Sequence, residues 1–195
     1  LDEVSEPRLP EVDAEFAQAF GVEDGDIERF RADVRANMER ELKQRLEART
    51  KEQVMDLLFE ANPIDLPQAP VQSEMQSMAE QMGQALGGGK LNLPASLFES
   101  GARRRVALGL ILGKIIKDHE LKVDAARVRE RVEQLAATYE HPQAVIDYYY
   151  SDRNRLGTVE TVVLEEQVVE LVLTQVTVED ETIGFTDLTS PASAG

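Results

Sequence analysis

The two histidines, His119 and His141, are the side chains in this sequence most typical of metal or acid–base chemistry. Both fall in segments predicted to connect one helix to the next. A zinc site needs several ligands that converge on one point, and the sequence has no Cys and no pair of histidines at helical spacing. We interpret both histidines as solvated loop or cap residues, and the sequence predicts neither a metal nor any other cofactor.

A glycine-rich segment at residues 86–92, LGGGKLN, invites comparison with a phosphate-binding loop. In that motif a Gly stands five residues before the second Gly, a Ser or Thr follows the Lys, and a strand leads in. Gln84 and Leu91 occupy those two positions here, and the preceding segment has a helical pattern. The segment is therefore predicted to be a helix-breaking hinge.

Glu165 and Glu166 are adjacent carboxylates, which raises the question of a general acid and base. They lie in a segment with a helical pattern, where neighbouring side chains point about 100° apart and do not converge on one substrate. A solvated helix face explains them better. No catalytic site is predicted, and we expect the chain not to be an enzyme.

The charge balance limits the partners of the chain. Asp and Glu number 37 against 21 Lys and Arg, giving a formal net charge of −16. Phosphate backbones and anionic lipid surfaces attract basic faces, so neither nucleic acid nor a membrane is predicted as a direct partner. The absence of Cys fits a reducing compartment, and we expect a cytoplasmic location.

Residues 106–116, VALGLILGKII, form an apolar run that contains one charge, Lys114. A membrane-spanning helix needs roughly 20 apolar residues, about twice this length, and the run lies in the middle of the chain. The first residues, LDEVSEPR, have no secretory pattern and no initiator Met, which suggests a piece cut from a longer protein. The apolar run is predicted to be a helix that is either buried against other protein or left accessible for a partner.

Apolar residues at spacings of three and four predict one helix from residue 26 to residue 61, with Asp26 as its N-cap and Asn62-Pro63 as its stop. Such a helix is roughly 54 Å long, against a diameter of about 40 Å for a compact domain of this chain length, and therefore predicts an elongated molecule. The other predicted segments are a linker at 1–12, helices at 13–20, 70–86, 93–118, 128–139, 142–152 and 154–175, VTVEDETIGF (176–185) as a short C-terminal strand, and a disordered tail at 189–195.

Two apolar clusters are candidates for a binding surface. The first, which we call the Met stripe, comprises Val71, Met75, Met78 and Met82 at helical spacing; Met is flexible and suits a surface that accepts many shapes. The second contains all four tyrosines, between residues 139 and 150, and Tyr combines a large apolar body with a polar tip. Ordinary core packing remains an open alternative for both clusters.

Several blocks in fixed order give the sequence a resemblance to a known family: FGVEDGDIERFRADVRANMEREL, NPIDLPQAPV, ARRRVALGLILGKIIKDHELKVD, TYEHPQAVIDYY, LEEQVVE and VTVEDETIGF. Over about residues 9–188 the chain resembles the C-terminal substrate-binding domain of bacterial trigger factor, the ribosome-associated chaperone. The resemblance implies an all-α fold in which an elongated multi-helix body carries two protruding helical arms. The helical chaperone domain is then expected at residues 13–188.

The resemblance also implies the partner and its contacts. Unfolded or nascent polypeptide is expected to bind Leu135, Tyr139, Val145, Tyr148 and Tyr149, a set that we call the tyrosine surface; the Met stripe is our own addition from residue type and spacing. The family's ribosome-docking and peptidyl-prolyl isomerase domains have no counterpart in this sequence. The family's ribosome-docking domain is N-terminal, and contact with the ribosome is expected only through that absent domain.

These features predict an ATP-independent chaperone module that binds exposed apolar segments of nascent or unfolded polypeptides and prevents misfolding and aggregation. One alternative is a helical adaptor that pairs with a single fixed partner protein. Another is a periplasmic chaperone of related helical fold, which the lack of a secretory pattern disfavours. Binding to many unrelated unfolded proteins favours a chaperone, and a single stoichiometry with one folded partner favours the adaptor.

Overall fold

The computed structural model describes residues 10–87, 93–137, 139–184 and Leu188. Over these residues the chain is all-α, as predicted, and contains no strand. The predicted hinge at 88–92, most of the linker and the predicted tail lie outside the described residues. The helices are α1 (Ala14–Ala19), α2 (Ile27–Ala61), α3 (Gln68–Gly87), a 3-10 helix (Ala95–Phe98), α4 (Glu99–Asp118), α5 (Ala125–Ala136), α6 (Pro142–Tyr150) and α7 (Arg153–Leu173).

Helix ends follow the capping residues. The Asp26 carboxylate accepts from the backbone N–H of Glu28 at 2.9 Å, which confirms the predicted start of α2. Asp124 and Asp152 cap α5 and α7 in the same way, at 2.8 Å each. At the end of α2, the Asn62 side chain donates to the Leu58 carbonyl oxygen at 2.8 Å. These local contacts satisfy backbone groups that a helix terminus leaves without partners.

The predicted C-terminal strand is wrong. Residues 176–184 have no regular secondary structure, and both Val176 and Val178 are exposed. A strand is stable only when its backbone groups pair with a neighbouring strand, and the described residues provide none. By contrast, the β-branched run in α7 is helical, as predicted.

The chain divides into two compact units, 1–49 with 181–195, and Thr50–Asp180. In the first unit, α1 and the start of α2 bring three phenylalanine rings together: Phe16 lies 4.8 Å from Phe20 and 5.7 Å from Phe30, between ring centroids. The turn between the helices depends on Gly25, which has φ +67° and sits so close to Ala14 that a Cβ would approach its methyl to 3.0 Å. Glycine is required there because other residues are strained at positive φ.

The second unit contains the apolar run that the sequence places at 106–116. One face of α4 packs with the end of α2 and with α7, and this packing buries eight side chains: Val54, Met55, Leu58, Leu108, Ile111, Leu112, Val168 and Val169. We call this group the first core. Leu108, Ile111 and Leu112 of the run are thus buried, whereas Leu110 is 48% exposed, so both alternatives hold for part of the run. No described helix combines the length and hydropathy that a membrane crossing requires.

A second core lies between α5, α6 and α7. It consists of Val128, Val132, Val159 and Val163, with Ile146 and Tyr149 of α6 packed against it. The segment between α4 and α5 is tied to α7, because the Gln167 side chain donates to the Lys122 carbonyl oxygen at 3.1 Å. Through Ile146 and Tyr149, the second core holds in place α6, which carries three of the four tyrosines.

Candidate functional site

The residues considered for chemistry do not converge. His119 is the C-cap of α4 and His141 the N-cap of α6, and both are exposed. Glu165 pairs with Lys51 of α2, whereas Glu166 lies 3.9 Å from a guanidinium nitrogen of Arg131 in α5. The two glutamates thus point to different partners, as helix geometry predicts. Within the described residues, no group of three or more His, Asp or Glu side chains could hold a metal ion.

The tyrosine surface combines accessible and supporting side chains. Tyr139, after α5, is 60% exposed, and Tyr148 of α6 is 54% exposed. Leu135 is also exposed, Val145 is half-buried, and Tyr149 is half-buried because it packs against the second core. These residues lie on α5, on α6 and in the segment between them, and the two helices pack together. Tyr149 contributes mainly to the second core and less to the accessible face.

Tyr148 makes the best-defined contacts of the tyrosine surface. Its ring stands nearly perpendicular to that of Tyr149, with centroids 5.7 Å apart. Arg155 of α7 places its guanidinium carbon 3.8 Å from the Tyr148 ring centroid, a cation–π contact. Sequence reasoning did not include Arg155, because a contact across the turn between two helices has no periodic signal.

Ion pairs involve α5, the helix that packs against α6. Arg127 of α5 donates to Glu170 of α7 at 2.8 Å, and this hydrogen bond together with the Glu170 charge raises the pKa of Arg127. Arg129 donates to Glu133 at 2.8 Å, and the same type of contact raises its pKa. A guanidinium is charged at physiological pH in any case, and the raised pKa only strengthens this. These pairs therefore connect α5 to α7 and stabilise the surface of α5.

The Met stripe is divided between packing and surface. Val71 is only 5% exposed and Met78 lies against α4, where a Cβ on Gly101 would come within 3.1 Å of its methyl carbon. Met75 is half-buried, and Met82 is 43% exposed. Val71 is therefore withdrawn from the accessible set, since a side chain buried to this extent cannot contact a partner without rearrangement.

The first unit holds an apolar groove that sequence reasoning did not assign as a site. Its volume is about 540 Å³, and we call it the α2 groove; its lining residues are Val12, Phe30, Arg31, Val34, Arg35, Met38, Glu39 and Leu42. The signal was present, because Val34, Met38 and Leu42 recur every four residues. By itself that spacing indicates only one face of a helix, because whether such a face is covered depends on tertiary contacts.

Comparison with known proteins gives consistent matches. A family model described as bacterial trigger factor protein C-terminus matches residues 26–174. Trigger factor of Ectopseudomonas mendocina is 44% identical over 196 residues, which cover all of this chain and 45% of that protein. Trigger factor of Pseudomonas putida strain GB-1 is 45% identical with the same coverage. The chain thus spans about half the length of the curated relatives that it matches.

Proposed function

This chain belongs to the family of bacterial trigger factor C-termini, and from that premise we propose that it is an ATP-independent chaperone module. In this proposal it binds exposed apolar segments of nascent or unfolded polypeptides and prevents their misfolding and aggregation. The observation that carries the proposal is the exposure of Tyr148 on α6, whose other face packs against the second core, together with the exposure of Tyr139 in the segment between α5 and α6. Large aromatic side chains left accessible beside a well-formed core are typical of a binding surface.

Several weak apolar contacts suit a flexible client. An unfolded polypeptide can bind separate apolar patches with successive segments of its chain, so that modest individual affinities add to the overall affinity. Met82 of α3 and the α2 groove are the further patches that we propose. They lie on different elements, so a client would bind them as separate contacts along its chain.

Independence from ATP is proposed from the sequence. The glycine-rich segment lacks two residues of the phosphate-loop motif, since Gln84 and Leu91 stand where Gly and Ser or Thr are needed. Binding and release would then depend on the client, which leaves the surface once its apolar side chains are buried in its own core. We also propose that this chain does not catalyse prolyl isomerisation, that it works in the cytoplasm, and that any contact with the ribosome requires parts of a longer protein.

An aggregation-suppression assay tests the proposal. Two unrelated proteins are unfolded and diluted with the wild-type chain, and light scattering is followed. We expect reduced scattering for both, and a weaker effect for the variant Tyr139→Ser/Tyr148→Ser. The matched control is Val178→Ser, which removes an exposed apolar side chain from a segment outside the tyrosine surface.

The adaptor hypothesis makes the opposite forecast. An adaptor would leave both unfolded proteins aggregating at the rate seen without it, and would bind one folded partner at a fixed stoichiometry. Equal protection by wild type and the double tyrosine variant would show that the chaperone surface lies elsewhere.

A further inference from the structure

Three contacts fix the Arg155 guanidinium over the Tyr148 ring. Its central carbon lies 3.8 Å from the ring centroid. One terminal nitrogen donates to the Tyr148 backbone carbonyl oxygen at 3.2 Å, and Nε lies 3.6 Å from a carboxylate oxygen of Asp152, the N-cap of α7. Because the guanidinium is planar and delocalised, it can stack on a ring and hold a carbonyl and a carboxylate together.

The remaining surroundings of the ring leave it accessible. Tyr149 contacts it from one side in an edge-to-face arrangement, and Tyr149 is itself held by the second core. Tyr148 is nevertheless 54% exposed with Arg155 in place. The guanidinium covers one face of the ring, and the residue as a whole is still more than half exposed, so this arrangement restrains the ring without closing it off from solvent.

We propose that Arg155 is a positioning residue for client binding: it holds the Tyr148 ring in the orientation in which non-native polypeptide contacts it. This inference rests on the proposed chaperone function of the tyrosine surface. A ring that is already restrained loses less conformational entropy when a client binds, and the smaller entropy loss makes the binding free energy more favourable. Arg155 therefore acts through Tyr148 and not through its own contact with the client.

A double-mutant cycle tests this mechanism. Wild type, Arg155→Gln, Tyr148→Ser and the double variant are titrated into fluorescein-labelled, reduced and carboxymethylated lysozyme, a permanently unfolded polypeptide, and anisotropy gives each Kd. We expect Arg155→Gln to weaken binding about two- to five-fold, which lies within the factor set by the cost of ordering one side chain on binding. In the Tyr148→Ser background the same change should have no further effect, because the ring on which Arg155 acts is gone.

Two controls separate positioning from charge and from folding. Arg153→Gln removes the same charge from an exposed side chain two residues earlier and should leave the Kd unchanged. Urea denaturation should show a small decrease in the midpoint for Arg155→Gln, comparable to that of Tyr148→Ser, and both variants should be fully folded in the buffer used for binding. In the NMR spectrum, the Arg155 δ protons should show an upfield ring-current shift that disappears in Tyr148→Ser.

Several results would overturn the inference. Tighter binding by Arg155→Gln would identify Arg155 as a lid, and an equal loss of affinity in the presence and absence of Tyr148 would identify direct contact with the client. An unchanged Kd would show that the ring needs no restraint. In each of these cases wild type still binds the labelled polypeptide, so the proposed function stands; failure of wild type to bind would refute the proposed function and the inference together.

Discussion

Replacing Tyr148 and Tyr149 with Ser, one at a time, should separate two adjacent tyrosines by their contribution to stability. Tyr149 packs against the second core of Val128, Val132, Val159 and Val163 and is half-buried. Truncating a fully buried large aromatic costs about 3–5 kcal/mol. A half-buried ring loses roughly half of that contact, so Tyr149→Ser should lower the free energy of unfolding by about 1.5–2.5 kcal/mol.

Tyr148 should behave differently, although it is the next residue. More than half of it is exposed, and its main defined partner is Arg155 at 3.8 Å. An exposed cation–π contact contributes about 0.5–1 kcal/mol, which sets the expected loss for Tyr148→Ser. Affinity for an unfolded client should instead fall several-fold, because the accessible ring is removed.

The assay is urea denaturation followed by circular dichroism, paired with anisotropy of the labelled unfolded polypeptide. Tyr149→Phe is the control, since it removes only the hydroxyl group and should keep nearly all of the stability. A loss for Tyr148→Ser as large as that for Tyr149→Ser would refute the reasoning, because it would place both rings in the core. Unchanged client affinity in Tyr148→Ser would remove this residue from the binding surface.

Three further predictions concern α3, α4 and the chain as a whole. Gly109→Ala should stabilise the protein by about 0.8–1 kcal/mol, the gain in helix propensity, because a Cβ at that position meets nothing within 4 Å. Gly101→Ala should stabilise it less, since the Met78 side chain must move. Equal increases in the melting temperature of the two variants would contradict this prediction. Val71→Ser should lower the urea midpoint, because Val71 is buried. Met82→Ser should keep the midpoint and weaken client binding, because Met82 is exposed. The opposite effects of the two substitutions would show that the two side chains were assigned to the wrong environments. The chain should not accelerate a proline-limited refolding reaction, and measurable acceleration would contradict the proposed lack of isomerase activity.

The helices of this protein could be predicted from the sequence because their signals are local. Asp26, Asp124 and Asp152 each precede a segment with helical periodicity, and a carboxylate at that position satisfies free backbone N–H groups of the first turn. Pro142 begins α6 for a related reason, because its missing N–H would have had no partner there. The failed strand at 176–184 shows the limit, since pairing with another strand is not a local property.

The candidate site depended on tertiary packing in a way that spacing cannot reveal. Helical spacing places Val71 and Met82 in the same stripe, yet in the folded chain Val71 is buried and Met82 is exposed. Two consecutive tyrosines on a helix must point in different directions, and only the position of the second core decides that Tyr149 faces inward.

The contact between Arg155 and Tyr148 depends on the angle at which α7 follows α6. Local periodicity therefore determined which segments of this chain are helical, because each cap and each turn is stabilised by residues a few positions away. The packing of helices that are distant in sequence decided which apolar side chains remained accessible, because burial is a property of the neighbours that a side chain meets.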